Sequence, residues 1–404
     1  MIVNEIFEID SCDDAELGIK RSSKLEYRIS YDDEKEIKAI VFIVGGAGAN
    51  RNISFLDFDR ECLAKKFDVL VVNVFYHCFF NRESNAKKYS AFKAFTQEDL
   101  SSLSRVLFDF KIDARALNEN NVYEYYEFLN NHITKLKSEG KLAQNYQVSF
   151  SSTFIPPNGD YQNYGIMAAI DHINALKDLI KRFPHFSNLP KIYGGGSYGG
   201  YLSLLIAKIA PWYVDGVIDN SGSALPILAY IIGRDINHPE FIFNNYNVLV
   251  EMFIKTHWTR KDEYSPYFFT NDHYKIRSLL NSHHLAIQAR KNKNIIFVSY
   301  HSLKDEFNTA KDKQMLYLAY KELGYDATLH LISSEDEIDG RFIKDLKHGM
   351  RMTDRALFRK ELPLMLEKLQ GKTFLMKENS ITYPCEELQF VFKGDENHFK
   401  LNIK

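Results

Sequence analysis

The chain has 404 residues, 45% of them hydrophobic, enough to bury a large core as one elaborated α/β domain or as two domains. A formal charge of −2 offers no basic field for nucleic acid or anionic lipid, so the expected partner is a small molecule. Cys12, Cys62, Cys78 and Cys385 lack metal-like spacing, no basic-then-apolar leader opens the sequence, and no apolar run is long enough to span a bilayer; the cytoplasm is the expected compartment, with no membrane, metal or cofactor.

In chain order, "NEIFEID" and "KLEYRISYD" alternate with period two and predict two antiparallel edge strands. "KAIVFIV" (38–44) is a buried strand ending in Gly45-Gly46-Ala47-Gly48, and a helix near 54–66 leads to a second buried strand at 67–75. Residues 80–158 break the rhythm, with helices near 97–110 and over "VYEYYEFLNNHITKLKSEG" before a turn at Pro156, Pro157 and Gly159. This insertion is read either as a cap or as an elaboration packed away from any site. A periodic helix follows with Asp160 as its N-cap, then a strand at 191–194, a helix at 198–210 and a strand at 214–220. A second insertion, 221–290, is rich in aromatics and histidines. Strands at 292–300 and 326–332, a helix "AKDKQMLYLAYKELG" between them and a closing helix at 350–369 complete the alternation. The core pattern thus occupies 1–79, 159–220 and 291–370, and a C-terminal extension, 371–404, holds one further strand. Such alternation predicts a mostly parallel sheet flanked by helices.

The stretch 191–210, "KIYGGGSYGGYLSLLIAKIA", supports two chemistries. Gly194, Gly196 and Gly199 spell a dinucleotide-binding turn, and Asp219 lies 20 residues beyond Gly199, where an acid for a ribose hydroxyl is expected. That fingerprint, however, belongs to the first strand of its domain, and several strands precede it here. The same residues read as G-x-S-x-G make Ser197 a nucleophile on a strand-to-helix turn. A serine hydroxyl needs an imidazole to take its proton and a carboxylate to orient that imidazole, in the order Ser, acid, His. Asp305 follows the strand at 292–300 and His348 follows the strand at 326–332, so the order is met. The oxyanion requires N–H donors, supplied by Tyr198 after the nucleophile and by Gly46 or Ala47 in the glycine-rich loop. These demands are met together, which favours Ser197 over the backbone as the working group.

The chain therefore resembles the α/β-hydrolase superfamily, and within it is most similar to the prolyl-oligopeptidase-like serine hydrolases. "GGSYGGYLSLL" matches their elbow, "MAAIDHI" their preceding helix, and "YHSLKDEFN" their H-G-x-x-D acid loop, over roughly 38–75 and 155–370. The resemblance implies an α/β-hydrolase fold with two helical insertions, and an acyl-enzyme mechanism. Departures are Ser302 in place of glycine, no hydrophobic-Pro pair after the acid, and "SSEDEIDGRFIKDL" lengthening the path to His348. No propeller pattern precedes the hydrolase pattern in this sequence, which leaves peptide specificity open. "YQNYGIM" with the elbow also resembles a bacterial family of unknown function associated with surface-glycan genes, which points to acylated sugars.

Other residues have plainer readings. Tyr76 and His77 follow a buried strand, as pocket lining or as a packed turn. His257, His273, His283 and His284 read as a solvated insertion rather than a metal site, and Asp336, Glu337 and Asp339 as an exposed loop. His330 sits inside a strand pattern, Glu306 is expected to point away from the site, and Asp219 is the rival acid. The expected activity is carboxylic ester hydrolysis, with a peptidase, an acyltransferase and a non-catalytic scaffold as alternatives.

Overall fold

The computed structural model describes residues 1–47, 52–372, 374 and 378–404. Ile40–Ile43 and Leu70–Phe75 are buried along their whole length, as strands covered on both faces must be. They lie near the middle of an eight-stranded sheet. Its order is Ile2–Asp10, Lys24–Asp32, Leu70–Phe75, Ile40–Ile43, Lys191–Gly196, Gly216–Asn220, Ile296–Ser302, Asp326–Ile332. The first two strands are antiparallel to each other and the second is antiparallel to Leu70–Phe75; all later neighbours are parallel. This is the α/β-hydrolase fold.

Side-chain alternation sets the layers. Val41, Ile43, Val71, Ile192 and Ile218 pack with Leu63 and Ala64 of helix Ser54–Phe67 and with Leu357, Phe358 and Leu362 of helix Asp354–Leu369. Phe42 points the other way, towards His172 of helix Ile166–Arg182, with ring centroids 6.2 Å apart.

The chain forms two compact units: 1–79, 163–227 and 269–404 make the first, and 80–162 with 228–268 the second. The second insertion is therefore shorter than its composition suggests, because residues 269–290 belong to the first unit. Arg277 shows why. It is fully buried, meets both carboxylate oxygens of Glu16 at 2.7 Å, and donates to the carbonyls of Asn163 and Tyr164. His273 and His284 are also buried rather than solvated; His273 completes a capping box with Thr270, and His284 Nε2 lies 2.9 Å from the Pro384 carbonyl. Burial pushes both imidazoles down to about 3. Asp160 does not cap the helix at Ile166–Arg182; Gly165 (φ +103) precedes it, and a Cβ there would lie 2.8 Å from Leu205. The C-terminal extension is a three-stranded antiparallel sheet, Ser380–Pro384, Gln389–Gly394 and Phe399–Ile403.

The second unit is not helical alone. Phe92–Ala94, Val148–Ile155, Val248–Ile254 and Phe241–Asn245 form a sheet in that order, its central pair parallel. Ser151 and Thr153 face inward because Asp99 accepts from both hydroxyls, at 2.5 and 2.7 Å, and from Arg234 at 2.9 Å. A cavity of about 470 Å³ in this unit is lined by Tyr230, Phe253 and Trp258 and by charges of both signs. Lys261 there lies 3.8 Å from Glu98 and 3.6 Å from Asp235, so the lining does not select the sign of a ligand. Among the described residues no helix is long and apolar enough to cross a membrane.

Candidate active site

The strand Lys191–Gly196 stops at Ser197, and helix Tyr198–Ile209 starts at once. Ser197 is held at φ 56°, ψ −121°, a conformation a non-glycine residue occupies only where its surroundings over-determine it. They do so here: Ser197 N–H donates to the Asn220 carbonyl at 2.7 Å, and Gly196 N–H donates to Asp354 at 2.8 Å. Burial raises the Asp354 carboxyl to about 7. The flanking glycines serve protein packing rather than phosphate. A Cβ on Gly195 or on Gly199 would lie 2.1 Å from the Val44 carbonyl oxygen.

His348 comes from a loop pinned on two sides. Met350, wholly buried, anchors it in the core, while Gly349 N–H donates to Ser221 Oγ at 3.2 Å and its carbonyl accepts from Asn220 at 3.0 Å. His348 Nε2 lies 2.7 Å from Ser197 Oγ, and Nδ1 lies 2.9 and 2.8 Å from the two Asp305 oxygens. A proton on Nδ1, donated to Asp305, leaves Nε2 free to accept from the serine hydroxyl. Burial pushes the Asp305 carboxyl up, but the bond from His348 and the N–H groups of Asn308 and Phe307 outweigh it and hold it below the usual range. The structure thus places Ser197, His348 and Asp305 in one hydrogen-bonded line. Such a line can move a proton off the serine and hold the resulting imidazolium.

Asp219 is not part of this line. It is buried, with Lys313 Nζ and Ser299 Oγ each 2.6 Å from Oδ2, and Gly222 N–H 2.8 Å from Oδ1. Neither an imidazole nor a ribose can reach those oxygens without displacing Lys313 and Ser299 from Oδ2 or the Gly222 N–H from Oδ1. His330 stacks on Tyr300, and Glu306 takes the backbone N–H of His348 at 3.1 Å rather than its ring.

The Gly46 backbone adjoins the elbow: a Cβ there would stand 2.9 Å from the Gly196 carbonyl oxygen and 3.9 Å from Ser197 Cβ. Tyr76, read from sequence as pocket lining or as a packed turn, is buried, and its hydroxyl donates to the Gly45 carbonyl at 2.7 Å. In a trans peptide the carbonyl and the next N–H point oppositely. Holding the Gly45 carbonyl therefore aims the Gly46 N–H away from Tyr76. His77, with the same two readings, is buried too, and its N–H donates to Asp171 at 2.8 Å. Ala47 is exposed, and Gly48 lies outside the described residues. Tyr198 opens its helix, with its ring 5.3 Å from Tyr164. Among the described residues no cluster of three His, Cys, Asp or Glu side chains is arranged for a metal.

Sequence order alone did not reach Asp354, Asn308, Ser221 or the role of Tyr76. Asn308 offered one signal, standing three residues after the acid, where a side chain can tie the loop back; it donates to the Ser221 carbonyl at 2.7 Å.

Comparison places the chain in a family. A model described as "Protein of unknown function (DUF2920)" matches residues 5–403, so the chain belongs to that family. No curated protein matches it. Among solved structures it is similar to an acylaminoacyl peptidase from Pyrococcus horikoshii, at 14% identity and TM-score 0.46, over 93% of this chain and 42% of that one. It is also similar to a puromycin-hydrolysing peptidase from Mycobacterium tuberculosis, at 13% identity and TM-score 0.47, over 91% of this chain and 40% of that one. The chain thus spans less than half the length of these peptidases.

Proposed function

We propose that this DUF2920 protein is a serine hydrolase that cleaves a carboxylic ester through an acyl-enzyme. One observation carries the reading: Ser197 Oγ, His348 and Asp305 are joined by hydrogen bonds of 2.7 and 2.8 Å. In the first step Ser197 Oγ attacks the ester carbonyl carbon while His348 Nε2 takes its proton. The oxyanion meets the N–H groups of Tyr198 and of Gly46 or Ala47. Collapse breaks the bond to the alcohol, which leaves with the proton from His348. Water, its proton drawn by the same imidazole, then releases the acyl group and restores Ser197. Ser302, which stands where the peptidase pattern has glycine, donates its hydroxyl to the Leu346 carbonyl and ties the acid strand to the segment before His348. A short acyl group on a sugar is the substrate class the family resemblance suggests. Four free cysteines fit the reducing cytoplasm.

The test is intact mass after a fluorophosphonate. The native protein gains one adduct and Ser197→Ala gains none; a folded native chain with no adduct ends the reading. Acyl 4-nitrophenyl esters against aminoacyl anilides then separate esterase from peptidase.

Tyr76→Phe supplies a further prediction. It leaves the buried Gly45 carbonyl without its donor, a cost of about 1–3 kcal/mol, and loosens the Gly46 N–H. Stabilisation of the oxyanion acts on the transition state, so kcat falls roughly tenfold with KM little changed. Equal activity in Tyr76→Phe would show that the tyrosine only packs.

A further inference from the structure

Phe307 stands two residues after the acid and is 63% exposed, although its neighbours on the loop are tightly held. Its N–H donates to Asp305 at 2.9 Å, and its ring meets that of His348 edge to face, with centroids 5.2 Å apart and an interplanar angle of 70°. Asp305 occupies the imidazole at Nδ1 and Ser197 at Nε2. The loop fixes the Phe307 backbone while most of the residue remains exposed. Leu303, at the start of the same turn, is 49% exposed.

We propose that Phe307 is the residue that selects the leaving group, and that it favours alcohols presenting a flat, apolar ring face. The inference rests on the acyl-enzyme reading. When the tetrahedral intermediate collapses, the carbon–oxygen bond to the alcohol breaks and His348 Nε2 passes its proton to that oxygen. The departing alcohol must then lie within hydrogen-bond reach of Nε2, beside the ring that packs on the imidazole. An exposed aromatic side chain there offers an offset-stacking surface to a ring, and little to a short alkyl chain. Once the alcohol has left, the acyl-enzyme no longer touches Phe307. Its effect therefore belongs to acylation alone.

This timing distinguishes leaving-group selection from support of His348. Straight-chain acyl esters from acetyl to octanoyl are screened, and the best acyl group is carried on phenol and on ethanol. In Phe307→Ala, kcat/KM for the phenyl ester falls roughly three- to tenfold, kcat/KM for the ethyl ester changes by less than about twofold, and the single-turnover deacylation rate is unchanged. Phe307→Tyr keeps the ring and restores the phenyl ester rate. Equal losses on both esters with slower deacylation would overturn the proposal, because the ring would then act only by orienting His348. No change on either ester would overturn it as well. If the native protein turns over no ester and takes no fluorophosphonate, the acyl-enzyme reading itself has failed. If it takes the fluorophosphonate but turns over no ester in the series, leaving-group selection by Phe307 is overturned while the activated serine stands.

Discussion

Asp305→Asn lowers kcat by about four orders of magnitude while the protein stays folded. The amide oxygen of asparagine can still accept from Phe307 and Asn308, whose N–H groups lie 2.9 and 3.0 Å from the same Asp305 oxygen, so the loop keeps its shape. What the amide cannot do is accept at both positions facing His348. With its NH₂ turned to Nδ1, it makes that nitrogen the acceptor and puts the proton on Nε2. The imidazole then presents N–H to Ser197 and cannot take its proton. The imidazolium formed during attack also loses its counter-charge, because the other carboxylate on this loop, Glu306, bonds the His348 backbone. Turnover of a 4-nitrophenyl ester, with circular dichroism to establish the fold, measures the effect. Activity within about tenfold of native would place the orienting acid elsewhere.

Much of the first unit was legible because its signals are local. Buried strands such as Ile40–Ile43 are continuous apolar runs, and the turn at Ser197 carries its glycines within a few residues. The order Ser197, Asp305, His348 needed only the rule that active-site loops follow strand ends. What escaped depends on partners distant in sequence. Val148–Ile155 reads as a polar stretch until Asp99 accepts from Ser151 and Thr153, and its parallel neighbour, Val248–Ile254, is separated from it in sequence by the whole elbow segment. Parallel pairing leaves no turn signature to find. His273 and His284 suggested solvent because of their polarity; each is buried with its partner, Thr270 or the Pro384 carbonyl. Tyr76 allowed two readings, pocket lining and a packed turn, and nothing in the sequence shows that its hydroxyl turns towards Gly45.

Asp219→Asn, at the position of the rival acid, destabilises the fold by roughly 3–5 kcal/mol and leaves the chemistry of the folded fraction nearly unchanged. Both members of the pair with Lys313 have fully buried side chains, and the same Oδ2 accepts from the ammonium and from Ser299. Removing the negative charge leaves an ammonium in the interior with only neutral acceptors, and such an unpaired charge is costly even where the intact pair adds little net stability. The same reasoning makes the loss reciprocal. Lys313→Met strands the carboxylate and lowers the urea midpoint comparably, whereas Asp219→Asn with Lys313→Met recovers part of the loss, because the two residues share one interaction. The Gly222 N–H, bonded to Oδ1 at 2.8 Å, retains an acceptor in the asparagine variant, so the turn after Asn220 that supports Ser197 and Gly349 holds its position. Kinetics on the folded fraction then separate the two aspartates: Asp305→Asn loses kcat with little change in midpoint, and Asp219→Asn loses midpoint with little change in kcat. A loss of about four orders in kcat from Asp219→Asn at native stability would transfer the orienting role to Asp219, and with it the imidazole would have to leave the position where it now bonds Asp305.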